Sequence, residues 1–428
     1  MLLNREPFAP VAGVQANQPG KSADVNASRL PADVPMVTFV SNLSEFLALE
    51  GEWRNLYAIS ASTNPFSTWE WVSEWVRFFS PKTLVAAVAR QAGQIVAIAP
   101  FHRARYVVGP GLRANCLQLG GPRELRHVNE LPPAMIRPGA EMSACRSILE
   151  RLAAEGRWDW IELAYHGPQA EAWEAAIGAM PSLAVAGRTV TEIPMMALPA
   201  SWEALRGTLR RNIKESIRRG YNRLEKAGHS PALEIVTEPA EIEAALATVF
   251  ELHARRADLS GRVHHHDNFG RGWLRYFLGL AAKAMAARGH LEVAQLRVDG
   301  EVVASRVFMS SNRSLYLSTS GFDPAWWDYG VMTVLLVERL KRAILGGFDE
   351  VNFSPGRDQA KSRWNVVNTS AVDVILTRRT IRARAMWRLF GFRKQISELG
   401  RRLIRKARTL RTVPPSEEAQ VVDDDSAR

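Results

Sequence analysis

The chain has almost no cysteine, with only Cys116 and Cys145 in 428 residues. That excludes a disulfide framework and a cysteine-built zinc site, both of which need several. It also lacks any apolar run approaching the roughly 20 residues that a membrane-crossing helix needs. The opening stretch, MLLNREPFAPVAGVQANQPGKSADVNASRLPADVP, lacks the basic-then-apolar order of a secretory signal. Residues 1–36 are expected to form a disordered leader, and these absences together point to the cytoplasm. Negative charge is in short supply too: 44 Asp and Glu stand against 55 Lys and Arg, a formal net charge of +11. Such an excess implies an anionic partner, whether nucleic acid, acidic lipid, phosphorylated cofactor or acidic glycan, without choosing among them. The bases concentrate around 206–226 and 378–411, whereas the end (Glu417, Glu418, Asp423, Asp424, Asp425) is acidic.

What is present is the material of a globular core, 46% hydrophobic and 8% aromatic, in a chain long enough for two domains. Residues 43–59 read as a helix on the spacing of Leu43, Phe46, Leu47, Leu49, Trp53 and Leu56. Asn64-Pro65 breaks it, and Ser67-Thr68 precedes a second, aromatic helix, WEWVSEWVRFF. LVAAVARQAGQIVAIAPFHRAR is two apolar strands about a Gly93 turn. A long irregular stretch with Gly109, Gly111, Gly120 and Gly121 comes next, then a helix over 141–155 and the strand WDWIELAYH. The second half repeats this plan. Helices over 239–258 and 268–287 lead to the hairpin LEVAQLRVDGEVVASRVFMS, turning at Asp299-Gly300. The strand SLYLSTSGF, a helix over 330–346 and the strand FDEVNFS complete it. QAGQIVAIAPF aligns with VDGEVVASRVF, and Trp158-Asp159-Trp160-Ile161 with Phe348-Asp349-Glu350-Val351. A duplicated α/β unit explains both matches.

Helix pair, hairpin, strand, helix, strand is the order of a GNAT module. Over residues 37–375 the chain resembles the BioF2-like/CelD-like acetyltransferases, relatives of the FemAB peptidoglycan ligases with tandem GNAT-like domains. The resemblance rests on NPFSTWEWVSEWVRFF, on LRRNIKESIRRGYNRLEKAG and on YLSTSGFDPAWWDYGVMTVLLVERLKRAILGGFDEVNFSPGRDQAKSRW, in that order. Members usually end a strand with an acid-Phe pair, then a Gly, acidic residues and a Tyr-Lys followed by a Trp. Asn352-Phe353, Gly356, Asp358, Lys361 and Trp364 keep much of that, and Ala360 stands where the Tyr is common. The fold class implied is α/β, with tandem GNAT-like domains, each a mixed central sheet flanked by helices. An N-terminal domain would span 37–195, and a C-terminal domain with a basic entry helix 196–377. A basic amphipathic extension and acidic tail would occupy 378–428.

The resemblance further implies an acyl-CoA-dependent N- or O-acyltransferase. The donor would be acetyl-CoA or another acyl-CoA, and the acceptor a sugar, polysaccharide precursor or small amine. Enzymes of this kind bind the donor's pyrophosphate on backbone amides where a helix follows a strand, because free N–H groups and the helix dipole favour an anion. Here that position falls at Tyr329, Gly330, Val331 and Met332, the expected cofactor-binding residues; a loop that merely caps a helix is the alternative. The first half has only Pro138-Gly139 before its helix and is expected to support the second.

Acyl transfer needs a nucleophile, a base and donors for the developing oxyanion. Asp358 and Lys361, just after FDEVNFS, are the expected catalytic pair. Asp358 would act as base or hold a substrate ammonium, and Lys361 would meet a phosphate or acidic substrate. A surface Asp–Lys pair worth under about 1 kcal/mol is the plainer reading. Arg357 and Arg363 make this loop electropositive, and with His266 they are the expected substrate-binding residues. His264-His265-His266 cannot all face one ion from a regular element, and no second His/Cys cluster is visible, so no metal is expected.

Two basic stretches remain. The helix from Trp202 sets Leu205, Leu209, Ile213, Ile217, Tyr221 and Leu224 on one face and mostly arginine and lysine on the other. FemAB-type ligases use aminoacyl-tRNA, which would fit such a face, making aminoacyl transfer the alternative function. The helical arm of those ligases is much longer than anything here, which argues against nucleic acid. The extension TRRTIRARAMWRLFGFRKQISELGRRLIRKARTLR carries Trp387, Leu389, Phe390, Phe392, Ile396, Leu399 and Leu403. It suits a peripheral contact with an anionic inner membrane face, or docking on the protein's own body or a second copy; breaks at Gly391 and Gly400 favour docking. A non-enzymatic polyanion- or membrane-binding protein on a GNAT scaffold is the third reading.

Overall fold

The computed structural model describes residues 34–60, 64–131, 134–257, 267–356 and 359–411. The leader expected at 1–36 lies outside these up to residue 33, and the structured chain begins with strand β1 (Met36–Val40). Helices α1 (Leu43–Leu47), α2 (Glu50–Ile59) and α3 (Trp69–Phe79) come after it. The Asn42 side chain caps α1 by accepting from Glu45 N–H at 2.8 Å, and the Thr68 hydroxyl caps α3 through Trp71 N–H. Helix α3 buries Trp69, Trp71, Val72, Trp75 and Val76, so it is enclosed on most sides. Truncating Trp75 to alanine in this setting would cost about 3–5 kcal/mol.

Strands β2 (Leu84–Gln91) and β3 (Gln94–Gly109) form the first hairpin. Its turn residues Ala92 and Gly93 have φ of 50° and 78°, the two positive values that a two-residue type I′ turn requires. The stretch expected to be irregular instead holds β4 (Leu112–Leu119), laddered to β3; β5 (Met135–Ile136), α4 (Glu141–Glu155), β6 (Trp160–His166), α5 (Ala170–Gly178) and the long β7 (Leu183–Ala197) come after it. Helices α6 (Trp202–Thr208) and α7 (Arg211–Lys226) divide the expected single helix, which breaks at the extended residues Leu209 and Arg210. Strand β8 (Pro231–Val236), helices α8 (Ile242–Ala257) and α9 (Gly272–Ala286), and the hairpin of β9 (Leu291–Val298) and β10 (Glu301–Ser311) are next. The last elements are β11 (Ser314–Phe322), α10 (Val331–Leu345), β12 (Glu350–Asn352), α11 (Gln359–Ser362), β13 (Val367–Arg378) and α12 (Ile381–Arg411).

All thirteen strands join one mixed sheet in the order β1-β2-β3-β4-β6-β13-β7-β12-β11-β10-β9-β8, with β5 added beside β3. Read from its two ends, this order gives the same succession: edge strand, hairpin pair, fourth strand, and a parallel neighbour reached through a helix. The centre holds an exchange. β7, from the first half, pairs with β12 of the second, and β13, from the second, pairs with β6 of the first. β7 and β13 pair with each other over twelve positions, with one register shift between Ile375 and Leu376, so the two halves share a single ladder.

Helices cover both faces. Residues of α1–α3, α8 and α9 share one apolar cluster, in which Trp53, Trp71, Phe250, Phe277 and the β11 residue Tyr316 are buried. On the other face, α6, α7 and α10 bury Leu209, Ile213, Ile217, Leu335 and Leu340 against Leu296, Phe308 and Leu315. The first turns of α12 lie on the first half, where Met386 packs with Cys116 and Trp160. Helix α8 crosses β11 so closely at Gly321 that a Cβ there would sit 2.3 Å from His253 N, which explains the glycine. Among the described residues, no helix is long and apolar enough to cross a membrane.

Candidate active site

The parallel pair β11–β12 is bonded over only three positions, ending at Tyr316 opposite Asn352. β11 then continues six residues further beside β10, while β12 stops. The register of β10 and β11 also shifts here: from Arg306–Ser320 to Phe308–Leu317, two steps on β10 match three on β11. This bulge at Ser318–Thr319 bends β11 away from β12, as bulges beside functional sites commonly do. Between the splayed strands lies a cleft of about 160 Å³ lined by Leu317, Ser318, Met332, Phe353, Lys361 and Trp364 among others. Wider grooves, about 630 Å³ between α8 and α9 and about 600 Å³ beside α2, lie away from the splay.

One end of the cleft is the start of α10. Gly330 adopts the left-handed conformation (φ 65°, ψ 34°), which turns the chain into the helix without a side-chain cap. Its carbonyl accepts from Thr333 and Val334 N–H, leaving those of Val331 and Met332 without an intrahelical acceptor. No acidic residue occupies this first turn. The positive end of the α10 dipole is therefore open to an anion. Basic α7 runs alongside: Arg223 donates to the Asp328 carbonyl, and a Cβ on Gly220 would meet the Tyr329 carbonyl at 3.2 Å.

The wall beyond β12 is tightly fixed. The Asn352 side chain accepts from Ser354 N–H at 2.9 Å, holding Ser354 at a positive φ of 64°, a conformation costly for a residue with a Cβ. Phe353 and Gly356 N–H groups donate to the β7 carbonyls of Pro194 and Glu192, both at 2.9 Å. Lys361 Nζ donates to Ser354 O (3.1 Å), Ser354 Oγ (3.0 Å) and Pro355 O (3.1 Å). The ammonium thus clamps the loop and carries its charge into the cleft.

The other titratable group comes from the first half. Tyr316 donates its hydroxyl to Glu130, which ends the long loop after β4. Burial pushes the Glu130 carboxyl above the usual carboxylate range, outweighing the Tyr316 hydrogen bond and the attraction of Lys361. Burial, reinforced by Glu130, holds the Tyr316 hydroxyl protonated far above its ordinary range. The Lys361 ammonium and the first turn of α10 thus meet at one narrow cleft, and the Glu130 carboxylate lies near enough to feel the charge of Lys361.

Of the expected site residues, Met332 and Lys361 line this cleft, and Gly330 starts the helix that carries Met332. The Val331 side chain is in the core, so only its backbone faces this role. The Tyr329 ring packs on Trp326 and His229, with centroids 5.1 and 5.5 Å away. Arg363 is drawn to α7, donating to Ser216 Oγ and to Asn212 O. Arg357, Asp358 and His266 lie outside the described residues. Among the described residues no group of His, Cys, Asp or Glu could hold a metal ion. Glu130, Tyr316 and Ser318 are not singled out by sequence pattern. Nothing in HVNEL distinguishes Glu130 from a surface acid, but a tyrosine at an interior position of the strand SLYLSTSGF, needing a buried partner for its hydroxyl, is a usable signal.

The corresponding place in the first half is closed. There β4 and β6 are also parallel over three positions, ending at Gln118 opposite Glu162. The chain leaves β4 after Leu119 and crosses the gap, where Arg123 and Arg126 pair with Glu162, the latter at 3.0 Å. Gln118 Nε2 adds a hydrogen bond at 3.0 Å. Burial raises the Glu162 carboxyl, but the guanidiniums of Arg126 and Arg123 prevail and hold it below its ordinary range. At the start of α4, the Glu141 carboxylate accepts from Gly139 N–H at 2.7 Å and sets a negative charge in the first turn of that helix.

Residues 211–362 match the model of the acetyltransferase (GNAT) domain family. The GNAT match spans α7 to α11 and so contains β11, α10, β12 and Lys361, but not Glu130. No curated protein matches the chain. Among solved structures, the crystal structure of FemX superposes with a TM-score of 0.55 at 9% identity, covering 79% of this chain and 96% of that one. A conserved protein of unknown function from Bacteroides thetaiotaomicron VPI-5482 gives a TM-score of 0.50 at 13% identity, covering 80% of this chain and all of that one. At these identities the likeness is one of fold. The fold is the expected α/β class with tandem GNAT-like architecture, its two sheets merged into one.

Proposed function

We propose that the protein is an acyl-CoA-dependent N- or O-acyltransferase, with acetyl-CoA or another acyl-CoA as donor substrate. The observation that carries this reading is the open N-terminus of α10 at the mouth of the β11–β12 splay, inside the segment that matches the GNAT domain. The Val331 and Met332 N–H groups would hold the donor's pyrophosphate, and the cleft past Met332 and Leu317 would take its pantetheine arm. The finer kinship with BioF2-like/CelD-like enzymes, and a sugar, polysaccharide precursor or small amine as acceptor, belong to this proposal. So does a division at 195/196 into a supporting and a catalytic domain.

In the reaction the acceptor amine or hydroxyl attacks the thioester carbonyl, its proton passes to a base, and CoA thiolate leaves from the tetrahedral intermediate. Glu130 would be the base, since burial raises its carboxyl above the ordinary carboxylate range and so favours uptake of a proton. Lys361 would fix the loop of Ser354 and Pro355 and offset developing negative charge. Asp358 would be an additional base or a hold for a substrate ammonium. Calorimetric titration with acetyl-CoA and a longer acyl-CoA tests the reading: one donor per chain is expected, lost in Gly330→Trp. Absence of binding by either thioester refutes it.

An aminoacyl group carried on tRNA is the second reading, favoured by the exposed arginines Arg211, Arg218 and Arg219 on α7 beside the same cleft. It requires salt-sensitive binding of charged tRNA in competition with acyl-CoA.

A further inference from the structure

Helix α12 carries two apolar faces that point in opposite directions. In its first turns Ala383 and Met386 are 1% and 7% exposed, and Trp387 and Phe390 pack on Trp160, with centroids 5.4 and 5.0 Å apart. After Gly391 the stripe changes sides. Phe392 and Ile396 are 62% and 55% exposed, and at 3.6 residues per turn they fall roughly 180° from the docked residues. In sequence the segment goes on with Leu399, Leu403 and Leu410. Around this second stripe, residues 392–411 hold eight arginines and lysines against one acid, Glu398. Beside the turn where the stripe changes sides, Arg393 donates to the Val107 carbonyl at the tip of the β3–β4 hairpin. There Val107 and Leu112 are also exposed, 51% and 44%, flanked by exposed Arg105 and Arg113.

We propose that the outer face of α12, with the β3–β4 hairpin tip, is a docking surface for an anionic lipid bilayer. Its charge complements acidic headgroups, while Phe392 and Ile396 have the size and exposure to enter the acyl boundary. A nucleic acid would satisfy the arginines but leave the apolar stripe in water. A second copy docked stripe to stripe would bring two such segments together, each with eight bases and one acid over residues 392–411. The inner face of the helix, already buried on the body, fixes the outer one as the side presented to a membrane. Such a surface would serve the protein whether or not the cleft transfers acyl groups.

The test is co-sedimentation of the full chain with phosphatidylcholine vesicles and with vesicles containing phosphatidylglycerol. Binding is expected only to the second, weakening as ionic strength rises. The double variant F392E/I396E should bind on the order of a hundredfold less, each lost apolar side chain contributing roughly tenfold. Both positions are solvent-exposed, so its circular dichroism and melting should match the parent. No binding to anionic vesicles, or undiminished binding by the double variant, overturns the proposal. So does a dimer in the ultracentrifuge that the same variant dissolves, because the stripe would then belong to a second copy.

Discussion

The two halves carry the same strand–helix–strand unit, yet one presents a cleft and the other a plug. Both parallel pairs, β4–β6 and β11–β12, are bonded over three positions. Beyond those positions the halves part ways. In the second half β11 runs on past a bulge and the space beside it stays open. In the first, residues 120–131 fall across the gap and Arg123 and Arg126 neutralise the buried Glu162. That same loop ends at Glu130, bonded to Tyr316 of the other half. The loop that closes one gap therefore also bonds the strand that borders the other, which gives the first half a reason to be retained in the proposed enzyme.

The largest expected effect comes from giving the open helix the closure of the other. Met332→Glu sets a carboxylate in the first turn of α10, where Glu141 stands in α4. Acyl-CoA affinity in calorimetry should fall on the order of a thousandfold through like-charge repulsion. Stability should hold or rise slightly, since an acid complements a helix N-terminus.

Next is Glu130→Gln, expected to lower kcat about a hundredfold with donor affinity unchanged. In the parent, kcat should rise with pH as Glu130 loses its proton, at a pH above the ordinary carboxylate range because burial raises this carboxyl. The variant should lack that limb in a pH–rate profile.

Arg123→Ala probes the plug. Leaving Glu162 with one guanidinium, that of Arg126, beside its hydrogen bond from Gln118 should cost about 2 kcal/mol in chemical denaturation and leave donor affinity intact. The Glu162 carboxyl is held low in the folded parent, so its pairing contributes above the unfolded carboxylate pKa and fades as pH falls through the folded value. The deficit of the variant should therefore shrink in acid.

The smallest effect is expected for Glu141→Ala, a loss of about 0.5 kcal/mol from the α4 terminus. Donor stoichiometry should remain one per chain, because the arginine–glutamate plug still fills the first-half gap. Two donors per chain would break the asymmetry between cleft and plug.

Local chemistry makes much of this legible in the chain itself. Strand SLYLSTSGF and helix 141–155 are read from the sequence with the ends that β11 and α4 have, and the turns at Gly93 and Asp299-Gly300 have the positive φ values their residues favour. The start of α10 at Gly330 is signalled by a glycine before an apolar-periodic run. Other features are out of reach because they depend on contacts between residues far apart in the chain. β7 and β13 are long strands with many exposed positions, and which half each would join is decided by ladder partners about 180 residues away. The helix from Trp202 reads as continuous, yet it breaks at Leu209 and Arg210, between two segments that pack on α10.

By itself the sequence determined most of the helices, the two hairpins and the left-handed glycine that starts α10, because propensity, turn chemistry and periodicity act over a few residues. Only the tertiary structure decided that the sheets merge, that the first gap is filled and that Glu130 reaches Tyr316. Those outcomes depend on which distant surfaces exclude water together, and burial of that kind leaves no mark in a local pattern of residues.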